Sequence, residues 1–308
     1  MCHDEIGEKT ILQGSKIRGS VMVDKEDQAW ILTAAGVHMP RLIYGTAWKK
    51  ERTADLVVQA IQAGFRGIDT ACQPKHYNEP LVGAALRRLQ DHGIERDSIF
   101  LQTKFTPLAG QDPRQVPYDK NSPIESQITQ SFDTSKKNLQ THYIDSLVLH
   151  SPLEPHERLM KAWGAMEAIH QAGGALQLGI SNCYNSEVLK RLYGDATIKP
   201  AIVQNRFYRE TGYDTELRNW CTDNGVIYQS FWTLTANPHI IASNTVQDIA
   251  TKHNKTEPQI FFRYLSQLGI VPLTGTCSKH HMVEDLSIFD FELSSEELHH
   301  VGRLLTSV

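Results

Sequence analysis

Three ionisable side chains stand at or beside the carboxyl ends of short apolar runs in this chain: Asp69, Lys104 and His150. Ionisable groups are seldom buried without a partner. A polar layer that only caps the fold would explain any one of these residues. Three complementary groups on neighbouring runs instead indicate one shared site.

The residue types of this set are suited to proton transfer. An Asp69–Lys104 ion pair would hold the ammonium in place, and a fixed ammonium near Tyr77 is expected to lower the phenol pKa from its usual value of about 10. A tyrosine tuned in this way is a general acid near neutral pH, and His150 would donate a hydrogen bond to a carbonyl. The set therefore predicts protonation of an alkoxide formed when a hydride reduces a carbonyl.

Other reaction classes lack their characteristic residues here. No serine or cysteine nucleophile pair accompanies these groups, nor do the clustered carboxylates of glycoside cleavage. Ser181, Asn182 and Gln204 follow later apolar runs and would grip the carboxamide of a hydride donor. A metal-dependent hydrolase is disfavoured because no convergent His and Asp ligand set follows the runs.

The elements that must position these groups form a regular series. Eight apolar runs alternate with helical patterns, which is typical of a (β/α)₈ barrel of the α/β class, the TIM barrel. A doubly wound sheet is the rival fold, but neither GxGxxG nor GxxxxGK[ST] occurs. The predicted strands are 41–45, 66–70, 98–104, 144–150, 176–180, 201–204, 226–230 and 270–273, and the helices between them are 54–63, 81–89, 128–139, 158–171, 186–193, 215–224 and 258–268.

The length of 308 residues exceeds that of a plain barrel of roughly 250 residues. Residues 1–30 lack sustained periodicity and are predicted to be an amino-terminal extension, which leaves 31–308 as one barrel domain. The loop 106–123 contains four prolines and follows a strand, so it should emerge at the carboxyl end of the barrel. It is either a flap with Tyr118 facing the substrate or a solvated surface insertion.

Bulk composition excludes several classes of protein. A net charge of −4 argues against a nucleic-acid binder, and no window of 18 apolar residues predicts a membrane span. The amino terminus has no signal-peptide pattern, and the five cysteines form no CxxC pair, so a cytoplasmic location is expected. The doublets at 280–281 and 299–300 direct histidines to different faces, so no metal site is expected.

Several motifs resemble those of one enzyme family. Residues 64–71 read GFRGIDTA and are followed by Asn78, Glu79 and Gly83, while 178–182 read LGISN and 203–205 read VQN. In this order and spacing the motifs resemble those of the aldo-keto reductases, over residues 31–304. The resemblance implies a (β/α)₈ barrel that reduces an aldehyde or ketone, a small-molecule carbonyl substrate, with a nicotinamide cofactor.

The resemblance also implies roles for individual residues. The catalytic tetrad falls on Asp69, Tyr77, Lys104 and His150, with Tyr77 as the proton donor. Trp48 would line the substrate pocket with Tyr77 and His150, or else pack under the neighbouring helix. The cofactor-binding positions are Gly45, Thr46, Asp69, Ser181, Asn182, Gln204, Phe231, Trp232, Leu234, Thr274, Gly275, Thr276, Ser278, Lys279, His281, Glu284 and Asp285.

Two departures from the family pattern concern the acid and the cofactor. The segment between Asp69 and Asn78 is two residues longer than usual, so Tyr77 directly precedes Asn78. The lysine and arginine that commonly hold the 2′-phosphate of NADP correspond to Gly275 and His281, with Lys279 as a candidate replacement. The cofactor expected from the resemblance is NADPH, and the missing basic pair leaves NAD as an alternative.

One alternative function belongs to another class. Relatives of the family include regulatory barrels of channel subunits that bind the cofactor as a signal and turn over little. No acidic or hydrophobic docking segment in this sequence supports that function. The sequence leaves the oligomeric state open, with a monomer favoured.

Overall fold

A closed barrel of eight parallel strands forms the centre of the molecule, in a computed structural model that describes residues 29–306. Each of the eight predicted runs overlaps one barrel strand, so the predicted (β/α)₈ fold is confirmed. A short hairpin precedes the barrel, with strands β1 (Trp30–Leu32) and β2 (His38–Pro40). The barrel strands are β3 (Ile43–Gly45), β4 (Gly67–Asp69), β5 (Phe100–Phe105), β6 (Ile144–Leu149), β7 (Ala175–Ser181), β8 (Ile202–Arg206), β9 (Ile227–Phe231) and β10 (Val271–Thr274).

Helices surround the barrel and bury one apolar face each. Leu56, Val57 and Ile61 of α1 illustrate this, since they recur at helical spacing and are almost fully buried. Within residues 29–306, no helix has the length and apolar character needed to cross a bilayer. The helices are α1 (Thr53–Ala63), α2 (Glu79–Gln90), α3 (Ile124–Leu139), α4 (His156–Gln171), α5 (Ser186–Asp195), α6 (Thr215–Asp223), α7 (Pro238–Ile241), α8 (Asn244–His253), α9 (Glu257–Gln267), α10 (Lys279–Leu286) and α11 (Ser295–Thr306).

The hairpin closes the amino-terminal end of the barrel. Strands β1 and β2 pair in antiparallel fashion, and Val37 and Met39 pack into a second hydrophobic cluster with residues that begin several barrel strands, among them Ile43, Phe100 and Ile202. Most of the predicted extension, residues 1–28, lies outside the described residues. The barrel is thus sealed by apolar side chains opposite the end where its strands terminate in polar groups.

The loop 106–123 packs against the segment that leads to Tyr77. Gln73 donates from Nε2 to the carbonyl oxygen of Gly110 at 2.7 Å, and Gln111 donates from Nε2 to that of Cys72 at 2.9 Å. None of the loop residues, all of which are described, lines the large cavity at the carboxyl end of the barrel. The loop therefore supports the wall of that cavity rather than covering its opening.

Tyr118 does not face a substrate in this structure. Its side chain is 7% exposed, its ring packs 5.4 Å from that of Phe105, and its hydroxyl donates to the carbonyl oxygen of Thr106 at 2.8 Å. The interpretation of Tyr118 as a substrate contact is therefore corrected. The residue anchors the loop, because burial of a phenol requires a partner for its hydroxyl.

Candidate active site

A cavity of about 930 Å³ opens at the carboxyl ends of the barrel strands. Gly45, Asp69, Phe231 and Thr274 line it as the last residues of four different strands, and Gln204 lines it from within a fifth strand, β8. Ligand sites of barrel enzymes lie at this face because all eight strands deliver their last side chains there. Residues far apart in sequence thus meet in one place, as the polar run ends predicted.

Lys104 lies beneath the floor of this cavity in a buried ion pair. Its Nζ donates to both carboxylate oxygens of Asp69, at 2.7 and 2.6 Å, and to the carbonyl oxygen of Thr70 at 2.9 Å. Lys104 is 1% exposed and Asp69 is 2% exposed. An ammonium has three protons to donate, so Asp69 and Thr70 use all of them.

Three amides complete the surroundings of Asp69. Gln102 and Gln204 donate from Nε2 to its Oδ1 at 2.7 and 3.0 Å, and both also donate to Oε1 of Gln229 at 2.9 Å. These three residues, which we call the amide layer, are buried in the barrel lumen. These donors hold the carboxylate in place beside Lys104, so the layer stabilises the ion pair.

Tyr77 and His150 face each other at the cavity wall above this pair. Their ring centroids lie 6.0 Å apart, and Nζ of Lys104 lies 5.2 Å from the centroid of the Tyr77 ring. Both residues line the cavity. The predicted tetrad of Asp69, Tyr77, Lys104 and His150 is therefore brought together by the fold.

The pKa of Tyr77 is raised, whereas the sequence argument predicted that it would be lowered. Desolvation of the phenol is the main cause, and the charge of Asp69 adds to it. A lowered pKa is expected from the ammonium of Lys104 alone. In the structure the carboxylate of Asp69 holds that ammonium, and its negative charge acts on the phenol in the opposite direction, so part of the effect of the ammonium is cancelled.

His150 is held as a neutral imidazole. Burial lowers its pKa well below the ordinary value, and the charges of Lys104 and His76 lower it further. Its Nδ1 lies 2.6 Å from Oγ1 of Thr106, and Asn182 donates from Nδ2 to its carbonyl oxygen at 2.8 Å. When Thr106 donates to Nδ1, the ring proton is on Nε2 and is available to a ligand oxygen.

The amino-acid types of the site do not form a metal centre. Among residues 29–306, no group of three or more His, Cys, Asp or Glu side chains is placed to hold a metal ion. The site is instead a buried cation–carboxylate pair with a phenol and a neutral imidazole above it. This arrangement is suited to proton transfer at the wall of an open cavity.

Residues 41–305 match the model of the aldo/keto reductase family. The chain belongs to this family. Membership of this family supports an oxidoreductase activity, and the resemblance read from the motifs is confirmed.

Similar proteins cover nearly the whole chain. Glyoxal reductase of Bacillus subtilis is 29% identical over 272 residues, which are 87% of this chain and 90% of the relative. A 9,11-endoperoxide prostaglandin H2 reductase of Trypanosoma cruzi is 27% identical over 273 residues, 87% of this chain and 88% of the relative. The crystal structure of an aldo/keto reductase from Brucella melitensis superposes with a TM-score of 0.76 at 27% identity and covers 89% of this chain and 98% of its own.

Most of the predicted cofactor-binding residues of this aldo/keto reductase lie on the cavity wall. They come from six barrel strands or the turns that follow them and from helix α10, which meet only because the barrel is closed. Three non-glycine residues of the wall have left-handed backbone φ angles, Trp48 (64°), Asn182 (52°) and Trp232 (56°), a conformation that is concentrated at functional sites. The predicted residues on the wall are Gly45, Asp69, Asn182, Gln204, Phe231, Trp232, Leu234, Thr274, Gly275, Thr276, His281, Glu284 and Asp285.

Four other predicted cofactor residues do not line the cavity. The hydroxyls of Thr46 and Ser181 donate to the backbone carbonyls of Asp69 and Gln204, at 2.9 and 2.7 Å. Both hydroxyls therefore support neighbouring wall residues. The other two are Ser278, whose hydroxyl caps helix α10, and Lys279, which is exposed at the start of that helix.

Sequence reasoning missed several wall residues, of which Lys49 and His76 carry the most chemistry. Lys49 donates from Nζ to the carbonyl oxygen of Gly275, and the His76 ring stacks on that of Trp48 with 3.9 Å between centroids. Lys49 directly follows Trp48, which was the only local signal for it. The other missed residues are Ala47, Gln73, Thr233, Thr235, Thr256, Glu257, Pro258, Phe262 and Leu273.

Asp285 is a buried cavity residue at which the effect of burying a carboxylate on stability can be measured. It is 4% exposed, and burial raises its pKa to about 6, against the opposing hydrogen bond that Thr274 donates at 2.7 Å. The unfolded chain releases this proton at lower pH, so stability falls as pH rises from about 4 to about 6. We expect Asp285→Asn to raise the free energy of unfolding by about 2–3 kcal/mol at pH 7 and by little at pH 4.

Urea denaturation at the two pH values checks this result. Asparagine keeps an acceptor for Thr274 and removes only the ionisation of Asp285. An equal gain at pH 4 and pH 7 would show that the carboxylate charge is not the source of the effect.

Proposed function

We propose that this protein is an NADPH-dependent carbonyl reductase acting on a small aldehyde or ketone. The observation that carries the proposal is the placement of Tyr77 and His150 at one cavity wall, above the Lys104–Asp69 pair. A bound nicotinamide would supply a hydride from its C4 to the carbonyl carbon. The residues of the chain supply the proton and hold the two reactants.

The cavity contains groups that fit a nicotinamide. Asn182 and Gln204 bring amides to the wall, and Phe231 brings an aromatic face at the end of β9. Amides pair with a carboxamide through complementary donors and acceptors, and an aromatic face packs against a flat ring. We assign these three residues to the nicotinamide end of the cofactor.

The proton is delivered by Tyr77. Its raised pKa keeps the phenol protonated at neutral pH, and an alkoxide formed at the substrate is a strong enough base to take that proton. Neutral His150 keeps a proton for a hydrogen bond that orients the carbonyl oxygen. Lys104, held by Asp69, places a positive charge 5.2 Å from the phenol ring, which favours the phenolate that remains.

The substrate side of the cavity is aromatic. Trp48 is 56% exposed, and its backbone N–H donates to the carbonyl oxygen of His76 at 2.7 Å. The stacked Trp48 and His76 rings form a wall beside Tyr77. We propose that this wall contacts the body of the substrate, because exposed aromatic rings in a pocket bury apolar ligand surface.

Lys49 supports the choice of NADPH. Its ammonium lies at the cavity edge, bonded to the backbone of Gly275, and forms no ion pair with a carboxylate of the described residues. Gly275 is the position where the family resemblance places a lysine for the 2′-phosphate. A cation without a counter-ion at this position attracts a phosphate, so we assign Lys49 to that group.

Lys49→Met is therefore expected to raise the Kd for NADPH about tenfold or more, since a hydrogen bond to a charged group contributes about 1.5–3 kcal/mol. The Kd for NADH should change much less. Fluorescence titration with both cofactors measures the two constants, and Lys120→Met, at an exposed lysine away from the cavity, serves as the matched control. Equal weakening of both cofactors would place Lys49 at the pyrophosphate, and unchanged constants would remove it from the cofactor site.

Turnover with a panel of aldehydes and ketones tests the proposed function itself. Oxidation of NADPH in the presence of a carbonyl compound, with formation of the matching alcohol, is the expected result. Tight cofactor binding without turnover across the panel would instead indicate a cofactor-sensing protein.

A further inference from the structure

We propose that Glu79 is a positioning residue for this reaction: its buried carboxylate fastens the segment that carries Tyr77 to strand β5, next to Lys104. The inference rests on the proposed function, because it assigns Glu79 to the proton-transfer machinery described above. Glu79 lies outside the cavity and acts through other residues.

Glu79 stands directly behind the general acid. It is the first residue of α2, whose cap is Asn78, so only Asn78 separates it from Tyr77. The side chain of Asn78 accepts a hydrogen bond from the backbone N–H of Leu81 at 3.2 Å, which fixes the start of the helix. The contacts of the Glu79 carboxylate therefore anchor the chain two residues away from Tyr77.

The carboxylate of Glu79 accepts three hydrogen bonds. Thr103 and Ser135 donate from their hydroxyls to Oε1 at 2.5 and 2.8 Å, and Asn138 donates from Nδ2 to Oε2 at 3.2 Å. Thr103 directly precedes Lys104 in β5. Because successive residues of a strand point to opposite faces, Lys104 occupies the lumen while Thr103 meets Glu79 on the outer side.

This buried carboxylate has no cation in contact with it. Glu79 is 3% exposed, its three donors are neutral, and it forms no ion pair among residues 29–306. Burial raises the pKa of Glu79, and the three hydrogen bonds oppose that effect. Burying a charge without a partner is unfavourable, and a neutral glutamine would also accept from the two hydroxyls. An ionised Glu79 therefore lowers the stability of the fold relative to a glutamine, and its hydrogen bonds alone do not explain why a carboxylate is present.

The charge of Glu79 acts on the catalytic lysine. Burial lowers the pKa of Lys104, while Asp69 and, to a smaller extent, Glu79 oppose that effect. The other titratable groups around this wall are the Cys72 thiol on the helix side and Tyr77 and His150 on the cavity side. Removing this negative charge lowers the pKa of Lys104 and of the Cys72 thiol, so Lys104 loses its proton at lower pH.

Glu79→Gln provides the test in the full-length enzyme. We expect the basic limb of the kcat profile for carbonyl reduction to move to lower pH by about 0.5–1 unit. The KM for the carbonyl compound should change less than about twofold, and Tm should stay equal or rise because a buried charge is removed. A residue with only a structural role would not shift the pH profile while preserving Tm.

Two further variants separate charge from position. Glu79→Asp keeps the charge and should retain the wild-type basic limb. Glu297→Gln removes another buried carboxylate, which pairs with Lys252 at 2.8 Å on the far side of the molecule, and should leave the pH profile unchanged.

The outcomes are distinguishable. An active wild type with an unshifted basic limb in Glu79→Gln overturns this inference and leaves the proposed function standing, whereas a wild type without turnover overturns the proposed function. If Glu79→Gln does not fold, Thr103→Val removes the link to β5 and keeps the charge. A several-fold loss of kcat in Thr103→Val, at unchanged KM, supports the positioning role, and wild-type kcat overturns it.

Discussion

Replacement of Tyr77 by phenylalanine is expected to abolish carbonyl reduction while cofactor binding remains intact. General acid catalysis contributes about 10²–10⁴-fold to a rate, and phenylalanine keeps the ring that packs near His150 but has no proton to give. A fall in kcat of this size, at unchanged Kd for NADPH, is the predicted result. Steady-state kinetics and fluorescence titration measure the two quantities on the same preparation.

Tyr193→Phe is the matched control for this substitution. Tyr193 lies on α5, and its hydroxyl donates to the backbone of Asn224 at 3.4 Å, remote from the cavity. Loss of that hydroxyl should leave kcat at the wild-type value. Wild-type turnover in Tyr77→Phe would mean that another group protonates the alkoxide.

The second large effect concerns the buried ion pair. Lys104→Met leaves Asp69 charged in the barrel lumen without a cation, and breaking such a pair on one side lowers stability by about 3–5 kcal/mol. Turnover should also fall steeply, because no positive charge then stabilises the phenolate of Tyr77. The free energy of unfolding from urea titration and kcat report the two losses separately.

The double variant Lys104→Met with Asp69→Asn separates the effect of the ion pair on stability from its effect on catalysis. With both charges removed, most of the lost stability should return, because the amide layer still supplies donors to Oδ1 of Asn. Activity should not return. A double variant as unstable as Lys104→Met would show that the lost stability comes from packing rather than from an unpaired charge.

The barrel could be predicted from the sequence because its strands are buried on both faces. Such strands appear in the sequence as continuous apolar runs, and the carboxyl end of each run lies at the face of the barrel where the cavity opens. The convergence of Asp69, Lys104 and His150 followed from those run ends alone. The position of Tyr77, in a lengthened segment, needed the family motif around Asn78 and Glu79.

The pKa shift of Tyr77 and the long-range contact of Lys49 could not be predicted in the same way. The sign of the Tyr77 pKa shift depends on how many ammonium protons of Lys104 are already used and on desolvation, which are both tertiary properties. Lys49 is 226 residues away from Gly275 in sequence, and no local pattern connects them. Tyr118 was assigned to the substrate from its loop, but its hydroxyl bonds within that loop.

Helix boundaries show the limits of periodicity. Helix α3 begins at Ile124, four residues before the predicted start, because Pro123 already provides an extended residue from which a helix can begin. Helix α8 was missed: its apolar face is narrow, with Val246, Ile249 and Ala250 as its buried residues. Its clearest signal is Ser243, whose hydroxyl accepts from the backbone N–H of Val246.

Because the barrel is sealed at its amino-terminal end, the cavity opening is the route by which a proton at Tyr77 exchanges with bulk water. Gln102 and Gln229 of the amide layer lie in the lumen outside the cavity lining, and Gln229 donates to the sulfur of Met39 at 3.2 Å, with the hairpin closing the lumen beneath. Amide side chains do not ionise, so they do not pass protons to bulk water through the floor. If Tyr77 is the proton donor, as we propose, it recovers its proton through the same cavity opening by which the alcohol product leaves, so reprotonation of the phenol is coupled to product release.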